Sequence, residues 1–145
     1  MAGTRRILIL QGHPDHEANH FCHALGNAYA AGAREAGHSI RQITVAQIDF
    51  PILRNQAEFS GPVPDMIKAC QDDVEWADHL VIVYPLWLGT MPALLKAFFE
   101  QLLRPGFAFS GLDDKGRWRK NLQGKSAHVV ISMGMPAFIY RHVFR

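Results

Sequence analysis

The sequence of 145 residues has few cysteines, little excess charge and no long apolar run. Its two cysteines, Cys22 and Cys70, are far apart in the chain, which excludes a disulfide framework and a Cys-x-x-Cys motif. No apolar segment reaches membrane-spanning length, and a net charge of +2 without a basic run does not indicate a nucleic-acid surface. We therefore expect a cytoplasmic protein that does not bind nucleic acid.

Several motifs that define common ligand sites are also missing. The eight histidines are scattered and show no metal-binding spacing, so we expect no metal site. The first loop after a predicted strand, 12–17, contains a single glycine and is neither a dinucleotide fingerprint nor a Walker A loop. What remains is the N-terminus of a helix that begins near Ala18 to Phe21, whose free amides and dipole suit an anion.

The histidines of this first loop have two interpretations. His13 and His20 could donate hydrogen bonds to a phosphate group bound at the helix N-terminus. Alternatively, His13 has a structural role in the turn. His16, near the tip of the loop, is expected to face solvent.

Apolar periodicity predicts strands that alternate with helices. Strands are predicted at 6–11, 39–45, 80–84 and 125–132, and helices at 21–37, 63–76, after 90 as far as 105, and from 137 onwards. The segments 46–62 and 110–124 show no strong periodicity and are predicted to be connections. This order predicts an α/β fold with a parallel sheet covered on both faces, in one of the two common doubly wound orders, 2-1-3-4-5 or 3-2-1-4-5-6.

The most informative stretch runs from Leu80 to Phe109. A buried strand ends at Pro85, and a tight segment then leads into a helix with Thr90 as its predicted N-cap. Ligands bind at this edge of open α/β sheets. Trp87 and Leu88 in the tight segment either cap the local core or form a wall for a flat aromatic ligand, with backbone amides supplying hydrogen bonds.

Three motifs resemble the NAD(P)H dehydrogenase (quinone) family: Gly-His-Pro after the first strand, Pro-Leu-Trp-x-Gly-x-x-Pro-Ala-x-x-Lys-x-Phe-x-Glu at 85–100, and Gly-Phe-Ala-Phe at 106–109. The resemblance extends from the first strand through Tyr140. It implies a flavodoxin-like three-layer sandwich with strand order 2-1-3-4, forming a single flavin-binding domain over residues 1–145. Family members usually continue with a fifth strand and a last helix, so we expect the C-terminal strand and helix to be missing and the edge beside the fourth strand to be open.

The resemblance also implies the chemistry. Family members bind FAD, or FMN in some cases, take a hydride from NADH or NADPH, and pass two electrons to a quinone. Tyr140 lies at about the spacing of a tyrosine over the flavin and is the predicted catalytic residue. The N–H groups of Leu86 to Leu88 are expected to hydrogen-bond the ring. The implied cofactor-binding residues are His13, Ala18, Asn19, His20 and Phe21 around the phosphate, Pro85, Leu86, Trp87 and Leu88 along the isoalloxazine edge, and Met133 and Gly134 on its other side.

The expected partners follow from the same resemblance. They are a small quinone-type acceptor and a second copy of the chain, since family members are commonly homodimers with the flavin at the interface. One alternative is a regulatory flavoprotein subunit of a potassium-efflux system, associated peripherally with a membrane transporter. Another is an inactive fragment of the same family.

Overall fold

The structure is a computed structural model that describes residues 3–17 and 19–143. The strands are β1 (Arg6–Gln11), β2 (Ser39–Thr44), β3 (His79–Pro85), β4 (Phe109–Leu112), β5 (Trp118–Lys120) and β6 (Ser126–Ser132). The helices are α1 (Phe21–Glu35), α2 (Gln56–Ser60), α3 (Asp65–Trp76), α4 (Ala93–Leu102) and α5 (Ala137–Val143), with a short 3-10 helix at Val45–Gln47. Within the described ranges, no helix is long and apolar enough to cross a bilayer.

Four strands form one parallel sheet in the order β2-β1-β3-β6. Along the chain, β6 is the fourth strand to join this sheet, so the observed order corresponds to 2-1-3-4. Of the two doubly wound orders that the sequence allowed, the flavodoxin-like order is therefore confirmed. On the far side of β6 the described part of the chain places no further strand. Val129 and Ile131 of this edge strand are accordingly 47% and 41% exposed.

The three layers follow from the alternation of side chains along β1, which points successive residues to opposite faces of the sheet. Leu8 and Leu10 pack in one buried cluster with residues of α3 and α4. Ile7 and Ile9 pack in a second cluster with residues of α1 on the other face. A central strand that is apolar on both faces therefore holds helices on both sides of the sheet.

Both segments predicted as connections contain regular structure. Residues 110–124 were predicted as a surface loop, but β4 and β5 form an antiparallel pair there. A β-bulge between Ser110 and Leu112 interrupts the alternation by which a strand is recognised in sequence. In the other connection, Asn55 caps α2 by accepting a hydrogen bond from the N–H of Glu58 at 2.9 Å.

The predicted N-cap of α4 is wrong by two residues. The helix begins after Pro92, and Thr90 instead pairs with Trp87 through two backbone hydrogen bonds of 2.9 and 3.0 Å. Thr90 is therefore part of a tight turn, and its backbone is not available to start the helix.

An ion pair joins the N-terminal ends of β1 and β3. The Asp78 carboxylate accepts hydrogen bonds from the Arg6 backbone N–H at 3.0 Å and from its guanidinium at 2.7 and 3.2 Å. The hydrogen bond from the Arg6 side chain, helped by that from its backbone, lowers the pKa of Asp78 to about 2. Ionised Asp78 thus stabilises the start of the central pair of strands.

This pair predicts a loss of stability in acid. The Asp78 pKa is about 2 in the folded protein and about 3.9 when unfolded, so its contribution is complete above about pH 4 and lost as the pH falls toward 2. The difference in urea midpoint between the wild type and Asp78→Asn should shrink over this range. A difference that stays constant down to pH 2 would contradict the assignment.

Two glycines of α1 give opposite predictions for alanine substitution. A Cβ at Gly26 would lie 2.2 Å from Nε2 of Gln11, a side chain that is only 3% exposed and cannot easily move. A Cβ at Gly32 would meet nothing within 4 Å. Gly26→Ala should destabilise the fold by about 1–3 kcal/mol through overpacking, whereas Gly32→Ala should stabilise it by about 0.5–1 kcal/mol. Urea unfolding measures both, and an equal effect at the two positions would refute this account of Gly26.

Candidate functional site

A crevice lies where β1 and β3 end side by side. The N–H of Gly12 donates to the carbonyl of Val83 at 2.7 Å and so continues the pairing of the two strands into the first loop. A Cβ at Gly12 would lie 2.7 Å from Cδ2 of Leu95 and 3.1 Å from Cβ of Tyr84, so the loop can approach β3 this closely only with a glycine. The first loop and the turn after β3 are thereby held together at the edge where α/β sheets bind ligands.

Three imidazoles form a cluster beside the first loop. The rings of His13 and His20 are stacked with centroids 3.7 Å apart, and His23 lies edge-on to both at 5.5 and 5.6 Å. Nε2 of His20 is 2.7 Å from Oδ2 of Asp15. His23 and Asp15 were missed by the sequence reasoning, although His20 and His23 have the i, i+3 spacing that places side chains on one helix face.

His13 is buried, and its ring contacts the backbone of Asp15. Nδ1 of His13 lies 3.1 Å from both the backbone N–H and the carbonyl oxygen of Asp15, so it accepts from the first in one tautomer and donates to the second in the other. Burial lowers the pKa of His13, and the charges of His20 and His23 act in the same direction, against a backbone hydrogen bond with Asp15. The lowered pKa favours the neutral ring near pH 7.

The N-terminus of α1 next to this cluster suits an anion. Its N-cap, His20, makes no side-chain capping bond, and its first turn contains no acidic residue. The N–H groups of His23 and Ala24 bond to the His20 carbonyl, which leaves those of Phe21 and Cys22 without a partner among the described residues. Free amides and the positive end of the helix dipole favour a phosphate or carboxylate at this position.

The turn after β3 presents apolar side chains in a strained backbone. Leu88 and Gly89 both have positive φ angles, 48° and 82°, as a two-residue type I′ turn requires. Leucine is disfavoured in this region by about 1–2 kcal/mol, yet Leu88 is fully exposed and Trp87 is 49% exposed. Strain combined with exposed apolar surface indicates a binding surface, since neither feature stabilises the fold.

The amides of this turn are mostly occupied. The N–H of Leu86 donates to the Ser132 carbonyl at 2.8 Å, and that of Trp87 donates to Thr90. The expectation that the N–H groups of Leu86 to Leu88 all face a ring is therefore wrong for the first two, because the β3–β6 pairing and the turn itself use them. The N–H of Leu88 has no partner in the described parts of the chain.

The structure brings the other predicted residues to this crevice. The Trp87 ring lies edge-on to His13 with centroids 6.0 Å apart, which joins the turn to the first loop. Pro85 pairs with Ser132 across the sheet, so Met133 and Gly134 begin beside the turn. A Cβ on Gly89 would lie 3.5 Å from Oη of Tyr140, which places that hydroxyl next to the turn as well.

Two further predicted residues, Asn19 and Phe21, are exposed at the start of α1. His16 is exposed in the first loop, as expected. Ala18 lies outside the described residues. The binding and catalytic roles assigned to all these positions stay predictions.

Comparisons with known proteins identify the class. A family profile described as Flavodoxin-like fold matches residues 5–144, and the chain belongs to this family. An uncharacterized NAD(P)H oxidoreductase of Haemophilus influenzae is 29% identical over 131 residues, covering 88% of this chain and 63% of that protein. An FMN-dependent NADH:quinone oxidoreductase of Nitratidesulfovibrio vulgaris is 28% identical over 126 residues, covering 76% of this chain and 59% of that protein.

A solved structure supports the fold. An NAD(P)H:quinone oxidoreductase from Methanothermobacter marburgensis matches with a TM-score of 0.78 at 23% identity, covering 97% of this chain and 72% of that one. At this identity the likeness concerns the fold alone. The chain spans about three fifths of the length of the two sequence relatives.

The anion site predicts a coupled titration with inorganic phosphate. A bound dianion stabilises protonated His13, so phosphate should raise the lowered pKa of this ring, and phosphate affinity should increase as the pH falls through that pKa. NMR titration of the His13 ring with and without phosphate measures the shift. The ring of His128, on β6, serves as an internal control, and phosphate should leave its chemical shifts unchanged. Equal responses of the two rings would rule out a specific site at the helix N-terminus.

Proposed function

We propose that this chain is a flavin-dependent NAD(P)H oxidoreductase that transfers electrons to quinones or similar two-electron acceptors. The contact of His13 with Trp87 carries the proposal, because it joins an anion-suited helix terminus to an exposed apolar turn in one crevice. A flavin mononucleotide has this division into a phosphate and a flat apolar ring. The names of the two sequence relatives support the same reaction class.

The residues present fit such a group. The free amides at the start of α1, with His13 and His20, would hold the phosphate through charge-assisted hydrogen bonds. Trp87 and Leu88 would pack along the ring and exclude water from it. A bound flavin would accept the hydride and pass on the electrons.

Two further positions complete the proposed chemistry. The free N–H of Leu88 is the amide of the turn that remains to donate to the ring edge. We assign Tyr140 as the catalytic residue, because its hydroxyl beside Gly89 can hold a proton next to the reacting ring.

We propose FMN as the flavin. The resemblance implied FAD first, but a relative named as FMN-dependent favours the shorter cofactor. FAD remains the second candidate. The homodimer, the cytoplasmic location and the single flavin-binding domain over residues 1–145 stay predictions, as does association with a potassium-efflux transporter, which neither sequence relative suggests by its name.

Flavin binding tests the proposal directly. Trp87→Ala should weaken FMN binding about 10-fold, because the ring loses an aromatic wall worth on the order of 1 kcal/mol. Trp118→Ala is the matched control, since this indole is similarly exposed (60% against 49%) but lies in the β4–β5 pair. Quenching of flavin fluorescence measures both affinities. The FMN-loaded protein should then oxidise NADH or NADPH with a quinone as acceptor.

The failure of either step is informative. If the wild type binds neither FMN nor FAD, the proposed function is wrong. If it binds flavin but nicotinamide does not reduce it, the oxidoreductase assignment is wrong while the flavin site stands.

A further inference from the structure

A polar pocket of about 220 Å³ lies between α1 and the C-terminal ends of β1 and β2. Its lining includes Gln11 at the end of β1, Thr44 at the end of β2 and Asn27 on α1. The sheet order is β2-β1-β3, so this pocket and the turn that carries Trp87 lie on opposite sides of β1. The apolar wall of the proposed flavin site is therefore not part of it.

The floor of the pocket is a buried glutamine at a position where the strand pattern favours an apolar residue. Ile7 and Ile9 of β1 pack with residues of α1, and Gln11 points to the same face because alternate residues of a strand do so. Gln11 is only 3% exposed. Its Nε2 reaches the His23 carbonyl at 3.5 Å, and its Oε1 has no hydrogen-bond partner among the described residues. A buried acceptor without a donor destabilises a fold, so a donor from outside the chain is expected at this atom.

The walls of the pocket consist mainly of carboxamides and a hydroxyl group. Gln42 and Thr44 are alternate residues of β2 and share a face of the sheet with Gln11, which pairs with Thr44. Nε2 of Gln42 donates to Oδ1 of Asn27 at 3.2 Å, which closes the wall between β2 and α1. Two further carboxamides line the pocket, those of Asn19 and Gln47. Each carboxamide offers both a donor and an acceptor, as each hydroxyl group of a ligand does.

The charge and the size of the pocket select a neutral ligand with several hydroxyl groups. Glu17 lines the pocket, and Oδ1 of Asp15 holds its backbone N–H at 2.9 Å. A carboxylate accepts hydrogen bonds from hydroxyl groups and repels an anion. A metal ion is not favoured either, because no group of His, Cys, Asp or Glu in the described parts of the chain could hold one. The volume of about 220 Å³ equals that of about seven waters of about 30 Å³ each, far more than a single bridging water needs.

We propose that this pocket is a second ligand site, which binds a ribofuranose ring. Oε1 of Gln11 accepts a hydrogen bond from one ring hydroxyl, and Glu17 and the carboxamides bond the others. The pocket lies at the edge where α/β sheets bind ligands, and in dinucleotide-binding folds a carboxylate likewise bonds a ribose hydroxyl. The ring enters either as a free riboside or as part of a nucleoside, and the experiment below separates these sources. The proposal does not depend on the flavin site.

NMR titration of the whole chain with methyl ribofuranoside tests the site. The side-chain NH₂ signals of Gln11 and Gln42 should shift together, and the 2-deoxy analogue should bind at least about 10-fold more weakly because one hydroxyl is lost. Tighter binding of adenosine would assign the ring to a nucleoside, whereas equal binding would assign it to a free riboside, and both results support the site. Unshifted Gln11 signals, equal affinity for the 2-deoxy analogue, or tighter binding of methyl glucopyranoside would each overturn the proposal.

Substitutions separate a binding role of Gln11 from a structural one. Gln11→Met keeps the length of the side chain and removes the unpaired acceptor, so it should weaken riboside binding at least about 10-fold without lowering the urea midpoint. Gln123→Met, at an exposed position outside the pocket, is the matched control and should change the affinity less than about 2-fold.

Glu17→Gln provides an independent arm, because Glu17 is exposed and its replacement does not disturb the core. The loss of a charged acceptor should weaken riboside binding about 10-fold. A lowered urea midpoint with unchanged affinity in Gln11→Met would show that Gln11 only supports the fold, and this result would overturn the proposal. Unchanged affinity in Glu17→Gln would overturn it as well.

Discussion

The parallel pairing of β1 with β3 is the constraint on which the candidate site depends. The hydrogen bond from Gly12 to Val83 extends that pairing beyond the strands, and the close approach of Leu95 and Tyr84 leaves no room there for a larger residue. The first loop is therefore fixed against the turn after β3. As a result His13, which faces the helix terminus, also touches Trp87.

The two sides of the crevice differ in physical character. One side has free amides, a helix dipole and three imidazoles, and it favours negative charge. The other has a strained turn with exposed tryptophan and leucine, and it favours a flat apolar surface. A glycine or asparagine would adopt the backbone conformation of Leu88 at a lower conformational free energy. The leucine side chain itself is therefore needed at the tip of the turn.

The sequence predicted the layered fold because β1 and β3 are apolar on both faces and the helices between them have clear periodicity. It failed at the hairpin, where a bulge at Ser110–Leu112 conceals the alternation of β4. It also failed at Thr90, whose capping propensity is overridden by its backbone pairing with Trp87. At the site, motif spacing located the two loops. It could not show that the Leu86 and Trp87 amides are already bonded or that Asp15 pairs with His20, because both facts depend on tertiary geometry.

The central claim is that one ligand spans both sides of the crevice. Amide and indole NMR spectra, recorded during separate titrations with FMN and with inorganic phosphate, test this most directly. The account predicts that FMN perturbs the Phe21 amide and the Trp87 indole together, while phosphate perturbs only the Phe21 amide. If FMN shifted just one of these signals, or neither, the two loops would not form a single site and the account would be contradicted.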